Sequence, residues 1–112
     1  MDEARDENAA SPSEIREKVI TELRTVFDPE IPVNIYELGL IYDVDVTDDG
    51  AVAIRMTLTS PSCPAAEELP SEVETKARSV PGVPRVTLDL VWDPPWDPSM
   101  MSEAARLDLN MT

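Results

Sequence analysis

Thr57-Leu58-Thr59-Ser60-Pro61-Ser62-Cys63-Pro64 is the stretch on which the fold turns. Up to it, Ile54, Met56 and Leu58 alternate with Arg55, Thr57 and Thr59, the period-two pattern of a strand with one buried face. After it, Pro64-Ala65-Ala66-Glu67-Glu68-Leu69 has the composition of a helix start. Proline suits the first helical position, because the N–H it lacks would have had no partner there and its fixed φ is already helical. The junction leaves Cys63 at or beside the N-cap, under free backbone N–H groups and the positive end of the helix dipole. That setting favours the thiolate, the form that binds metal or attacks. Glu67 and Glu68 in the first turn oppose it, so a partly activated thiol is predicted. A lone cysteine is most often a small buried hydrophobe. The strand–Pro–Cys–Pro–helix setting is what argues for function here.

Upstream, Tyr42, Val44 and Val46 alternate with Asp43 and Asp45, and Asp48-Asp49-Gly50 supplies a hairpin turn with φ > 0 at the glycine. The hairpin returns through Val52, Ile54, Met56 and Leu58. Before it, Asp28 to Leu40 is too long for a turn, is punctuated by Pro29, Pro32 and Gly39, and still carries Ile31, Val33, Ile35, Leu38 and Leu40. A long connection with that much apolar content is expected to be ordered, as a lid over the core or as part of a site. Further upstream, Ser11-Pro12-Ser13-Glu14 reads as a capping box with proline at N1, and Ile15, Val19, Leu23, Val26 and Phe27 follow at helical spacing. Pro29 stops that helix by Asp28. Residues 1–10 are acidic without periodicity and read as a disordered tail.

Downstream, the helix after Cys63 is predicted to run to about Ser79 with Leu69, Val73, Ala77 and Val80 inward, and with a kink or short first turn at Pro70. Pro81-Gly82 ends it. Val86, Leu88 and Leu90 form a third strand, which follows a helical crossover and is therefore predicted to run parallel to the second. Trp92-Asp93-Pro94-Pro95-Trp96-Asp97-Pro98 is stiff and aromatic. It reads either as a cover for the sheet end or as a segment that presents Trp96 to a partner. Asp97-Pro98 then opens a last helix with Met101, Ala104, Ala105 and Leu109 inward. The predicted order is α-β-β-α-β-α: a two-layer α+β domain over residues 11–112 with a small three-stranded sheet whose strand order is open.

Composition removes several function classes. The chain has 112 residues, 23 acids against 9 bases and a net charge of −14. Nucleic-acid backbones and anionic membranes would repel such a surface. The acidity fits either a basic partner or a host with a salty cytoplasm. There is no histidine, which removes Cys-His and Ser-His-Asp catalysis and every zinc site built with imidazole. Three glycines do not make a phosphate-cradling loop. One cysteine makes no internal disulfide, and the N-terminal residues lack the basic and apolar regions of a signal peptide, so a cytoplasmic protein is expected.

Asp28-Pro29-Glu30-Ile31-Pro32-Val33-Asn34-Ile35 together with Glu37-Leu38-Gly39-Leu40-Ile41-Tyr42 resembles the metal–sulfur cluster assembly factors of the SufT-like and PaaD-like kind. The agreement continues through Thr57-Leu58-Thr59, Cys63-Pro64, Val80-Pro81-Gly82-Val83, the Trp92-x-x-Pro95-Trp96 tail and Met101-Ser102, and spans roughly residues 13–109. The resemblance implies a non-enzymatic role in iron–sulfur cluster assembly or delivery, with the assembly machinery and client proteins as partners. It implies Cys63 as the reactive or cluster-transferring residue, and Asp28, Glu30, Thr57 and Thr59 as supporting polar positions. Glu37 stands where the family usually has aspartate, an acid one methylene longer. PaaD-like members add a cysteine-bearing C-terminal extension that is not seen before Thr112, which counts against a subunit of an aromatic-ring oxygenase or epoxidase complex. A cysteine-nucleophile enzyme with Glu30 or Glu67 as base is the remaining alternative, weakened because carboxylates are poor bases for a thiol. An iron–sulfur cluster usually takes four thiolates and this chain offers one. A transient cluster or iron is therefore expected to be held at Cys63 only in a shared site, completed by a client, a small thiol or a second subunit of a homodimer.

Overall fold

The computed structural model describes residues 11–28, 31–59 and 68–109. The predicted acidic tail at 1–10, Glu30, and the segment with Cys63 and Pro64 lie outside the described residues. Helix α1 spans Pro12–Leu23, and its capping box is formed as predicted: the Ser11 hydroxyl accepts from the Glu14 N–H at 3.1 Å, and Glu14 accepts from the Ser11 N–H at 3.0 Å. A four-residue helix, α2 (Ile35–Leu38), follows. Strands β1 (Ile41–Val46) and β2 (Val52–Met56) form the hairpin, α3 (Glu68–Arg78) crosses over, and β3 (Val86–Leu90) completes the sheet. A 3-10 turn (Pro98–Met100) and helix α4 (Glu103–Asp108) close the described chain.

The sheet order is β1-β2-β3, with β1 antiparallel and β3 parallel to the central β2. The parallel pairing is the one the crossover requires. Helix α1 packs on β1 and α3, and α3 packs on β3, so the two long helices form the second layer. Ile15, Val19 and Leu23 of α1 and Leu69, Val73 and Ala77 of α3 meet Val44, Val52, Ile54 and Met56 in one core. Each large aliphatic side chain in such a core contributes about 1.5–3 kcal/mol relative to an exposed one. The other face of the sheet carries Asp43, Asp45, Ala53, Arg55, Thr87 and Asp89, all exposed. No helix among the described residues is long and apolar enough to cross a membrane.

Two local expectations are corrected. The 28–40 connection contains helix α2, capped by Asn34, whose side chain accepts from the Glu37 N–H at 2.9 Å. The last helix is not continuous from Pro98. Asp97 caps only the 3-10 turn, Met101 is extended at φ −66° and ψ 145°, and Ser102 caps a new helix. That break resets the helical phase, so Met101 and Ala105 are buried while Ala104 faces solvent, contrary to its predicted inward position. Pro70 stands in the first turn of α3 as described, where a missing N–H costs least.

Gly50 joins the two halves of the fold. Its φ is +93°, and an added Cβ would collide with the Gly82 carbonyl oxygen. Gly50→Ala is expected to lose about 1–2 kcal/mol from the left-handed backbone alone, and more from the collision. Urea unfolding checks this, and an unchanged midpoint would contradict the packing of the hairpin on the turn after α3.

Candidate functional site

The polar positions suggested by the sequence lie where the 28–40 connection meets the end of β2. Asp28 is 3% exposed, and its Oδ1 accepts from the Ile31 N–H at 3.1 Å, which turns the chain back. An antiparallel bridge between Phe27 and Asn34 and a bond from the Ile35 N–H to the Val26 carbonyl, at 2.8 Å, close this loop onto the end of α1. The short helix that follows exposes one side of Tyr36 and Glu37 to Arg24. The Arg24 guanidinium sits 4.9 Å from the Tyr36 ring centroid and 3.4 Å from the Glu37 carboxylate. Glu37 thus has a cationic partner, although both side chains remain partly in water and the pair adds little stability.

Residues 37–40 are then held one after another by distant parts of the chain. The Glu37 carbonyl accepts from the Ser102 N–H at 2.8 Å, and the Leu38 carbonyl accepts from the Trp96 indole N–H at 2.9 Å. Gly39 lies against the Met100 backbone so closely that an added Cβ would be 2.5 Å from the Met100 oxygen. Its φ of +90° makes it the left-handed cap of α2. The Leu40 carbonyl accepts from the Thr57 N–H at 2.9 Å. Trp96 is thus half-buried against the core beside the 37–40 segment, with its indole N–H turned inward.

Thr57 is wholly buried, whereas Thr59 is half-buried. Alternation alone put Thr57 on the face opposite Met56 and Leu58; there its side chain meets the Tyr42 hydroxyl, and its N–H bonds sideways to the Leu40 carbonyl. Sequence reasoning placed Tyr42 as an ordinary strand residue. The register slips between Ile41 and Asp43, so Tyr42 is the extra residue of a β-bulge, a device that re-aims a side chain. Its hydroxyl donates to the Pro94 carbonyl at 2.7 Å and lies 3.5 Å from Met100 Sδ. Partial burial raises its pKa above 10.0; a hydrogen bond with Thr57 pulls the other way, and the nearby Asp93 charge adds to the rise. Nothing in the sequence marks the bulge. The Asn34-x-x-Glu37 spacing with Gly39 behind it is the signal by which α2 could have been found.

Tyr36, Gly39, Ile41, Tyr42, Pro94 and Met100 line a groove of about 430 Å³ beside this junction. It is open to solvent, and its lining mixes apolar and polar surface, the two tyrosines among it. Among the described residues no three Cys, Asp or Glu side chains come together in a group that could hold a metal ion. Cys63, the soft ligand, lies outside them, as does Glu30.

Residues 16–88 match the iron–sulfur cluster assembly protein family, and the chain belongs to it. Its relatives are specific within that family. A protein of Porphyromonas gingivalis named Fe-S protein maturation auxiliary factor is 55% identical over 93 residues, which is 83% of this chain and 89% of that one. The Fe-S protein maturation auxiliary factor YitW of Bacillus subtilis is 40% identical over 97 residues, 87% of this chain and 95% of that one. The crystal structure of a domain of unknown function from Bacillus anthracis superposes with a TM-score of 0.83 at 37% identity, over 94% of this chain and all of that one.

Tyr42→Phe tests the junction. Loss of the hydroxyl is expected to cost about 0.5–1.5 kcal/mol, the net value of one such hydrogen bond. The sign of the pH effect follows from the raised pKa. The stabilisation is complete below the unfolded value of about 10 and is lost as pH rises through the higher folded value. The variant should therefore melt lower than wild type at pH 8 and lose less between pH 9 and 11. Parallel melting curves across that range would contradict this placement of Tyr42.

Proposed function

We propose that this chain is an accessory factor in the maturation of iron–sulfur proteins, acting in the cytoplasm with the assembly machinery and client proteins, and not itself an enzyme. The observation that carries this reading is the family match over residues 16–88, joined to 55% identity with a maturation auxiliary factor across most of both chains. The cluster, or iron for it, is cargo. Cys63 supplies one thiolate to a shared site, and the ligands that one chain lacks come from a client, a small thiol or a second subunit.

In this reading the described residues position and Cys63 acts. Asp28 and Thr57 are buried polar positions that fix the 28–40 loop and the end of β2, from which the chain leads to Cys63. Glu30, Glu37 and Thr59 are the remaining supporting positions, and Glu37 is already engaged by Arg24. Trp96 holds the Leu38 carbonyl, and the exposed part of its ring is what remains for a partner. The lack of histidine and the weakness of carboxylates as bases for a thiol support an accessory role over a cysteine-based enzyme.

Cys63→Ser is the direct test. Serine is a preferred N-cap residue and nearly isosteric, so stability should stay within about 1 kcal/mol. Serine is a poor soft-metal ligand and a weak nucleophile at neutral pH. The expected pattern is an unchanged melt together with failure to restore iron–sulfur enzyme activity in cells that lack the protein. A lowered melt with retained activity would show Cys63 to be packing and would overturn its proposed role.

A further inference from the structure

Strand β3 is an outer strand, and among the described residues nothing blunts its free edge as Arg16 blunts that of β1. On β1 the Arg16 side chain occupies the Val44 carbonyl, with Nε at 3.0 Å. On β3 two bonds fix which backbone groups face the sheet. The Val52 N–H donates to the Arg85 carbonyl at 3.0 Å, and the Val91 N–H donates to the Met56 carbonyl at 2.8 Å. In a parallel ladder, residues bonded to the neighbour alternate with residues whose N–H and C=O face away. Arg85, Thr87, Asp89 and Val91 are the bonded set, so Val86, Leu88 and Leu90 direct three donors and three acceptors outward. No described residue bonds to those groups. The side chains of the same three residues are apolar, half-buried and continuous with the core. An edge with open hydrogen-bonding groups and an apolar strip is a template for another strand.

We propose that the strand it takes is β3 of a second copy of this chain, antiparallel across a twofold axis at Leu88, joining two three-stranded sheets into one. This register alone pairs all three outward residues: Leu88 with Leu88 of the partner subunit, and Val86 with Leu90 of the partner subunit, twice by symmetry. It is also complementary in charge. On the solvent face Thr87 falls opposite Asp89 of the partner subunit, and Arg85 lies one diagonal step from that same carboxylate, within reach of a long side chain. Arg85 has little to give up. Its ion pair with Asp49 is 3.7 Å long, with the two side chains 66% and 60% exposed. The net charge of −14 on each copy opposes association, and at about 0.15 M salt screening over roughly 8 Å suppresses that long-range repulsion while sparing the close pair.

Sedimentation equilibrium of the full chain at that salt concentration tests the proposal, with Arg85→Asp, Asp89→Arg and the double exchange as variants. Both positions are exposed, and melting curves check that the variants fold. Wild type should show a monomer–dimer equilibrium, each single reversal should weaken the dimer roughly tenfold, and the double exchange should restore it. Amide exchange at Val86, Leu88 and Leu90 should slow as the dimer fills. Cys63→Ser and iron chelation should leave it unchanged, which separates this pairing from a dimer bridged by a shared cluster. A monomer at every soluble concentration, a dimer indifferent to the two charges, or a double exchange no better than the singles would each overturn it. So would a monomer whose edge amides slow only when an extended peptide is added.

Discussion

Four consecutive residues, Glu37 to Leu40, have their backbones committed to four separate places in the chain. Ser102 holds the first, Trp96 the second, the Met100 backbone lies against the third, and Thr57 holds the fourth. Each hydrogen bond is worth only about 1 kcal/mol net. Their effect is geometric, because together they allow the segment one position. The sheet end, the C-terminal strap and the loop from Asp28 all meet at this segment. Gly39 is the residue that permits it, since any side chain there would push Met100 away.

The rest of the described fold is arranged around that segment. The helical layer and sheet supply the stability, and of the strap from Trp92 to Met101 it is Trp96 and Met101 that pack against the core, while Trp92, Pro94, Pro95 and Pro98 stay exposed. The Tyr42 hydroxyl, on its bulge, fastens the strap at Pro94 beside the buried Thr57. The acidic surface plays little part. Its described ion pairs, at Arg24, Arg78 and Arg85, involve exposed arginines and contribute little to folding.

Much of this was legible in the sequence. Period-two alternation gave both hairpin strands, Gly50 gave the turn, and the helical crossover carried by Leu69, Val73 and Ala77 gave the parallel third strand. Helix α1 was announced by its capping box. The failures have physical causes. Alternation says which side of a strand is apolar, and says nothing of what packs at the strand's end, where the Tyr42 hydroxyl meets the buried Thr57. A bulge is one extra residue with no composition of its own, so Tyr42 passed as an ordinary strand position. Asp97-Pro98 and Ser102 are both good cap signals, and the choice of two short elements over one helix rests on contacts of Met100 with Gly39 that lie 61 positions apart in number. Asp28 and Thr57 are polar positions that the resemblance suggests, and their burial follows from packing that no local pattern shows, as does the groove beside Tyr36 and Tyr42.

The most direct measurement of the central claim is the ratio of activity to polypeptide for several iron–sulfur enzymes in cells with and without this protein, grown under iron limitation. A maturation factor predicts that the ratio falls for the clients when the protein is absent, that polypeptide levels hold steady, and that enzymes without clusters are unaffected. Equal ratios in the two strains would contradict the account.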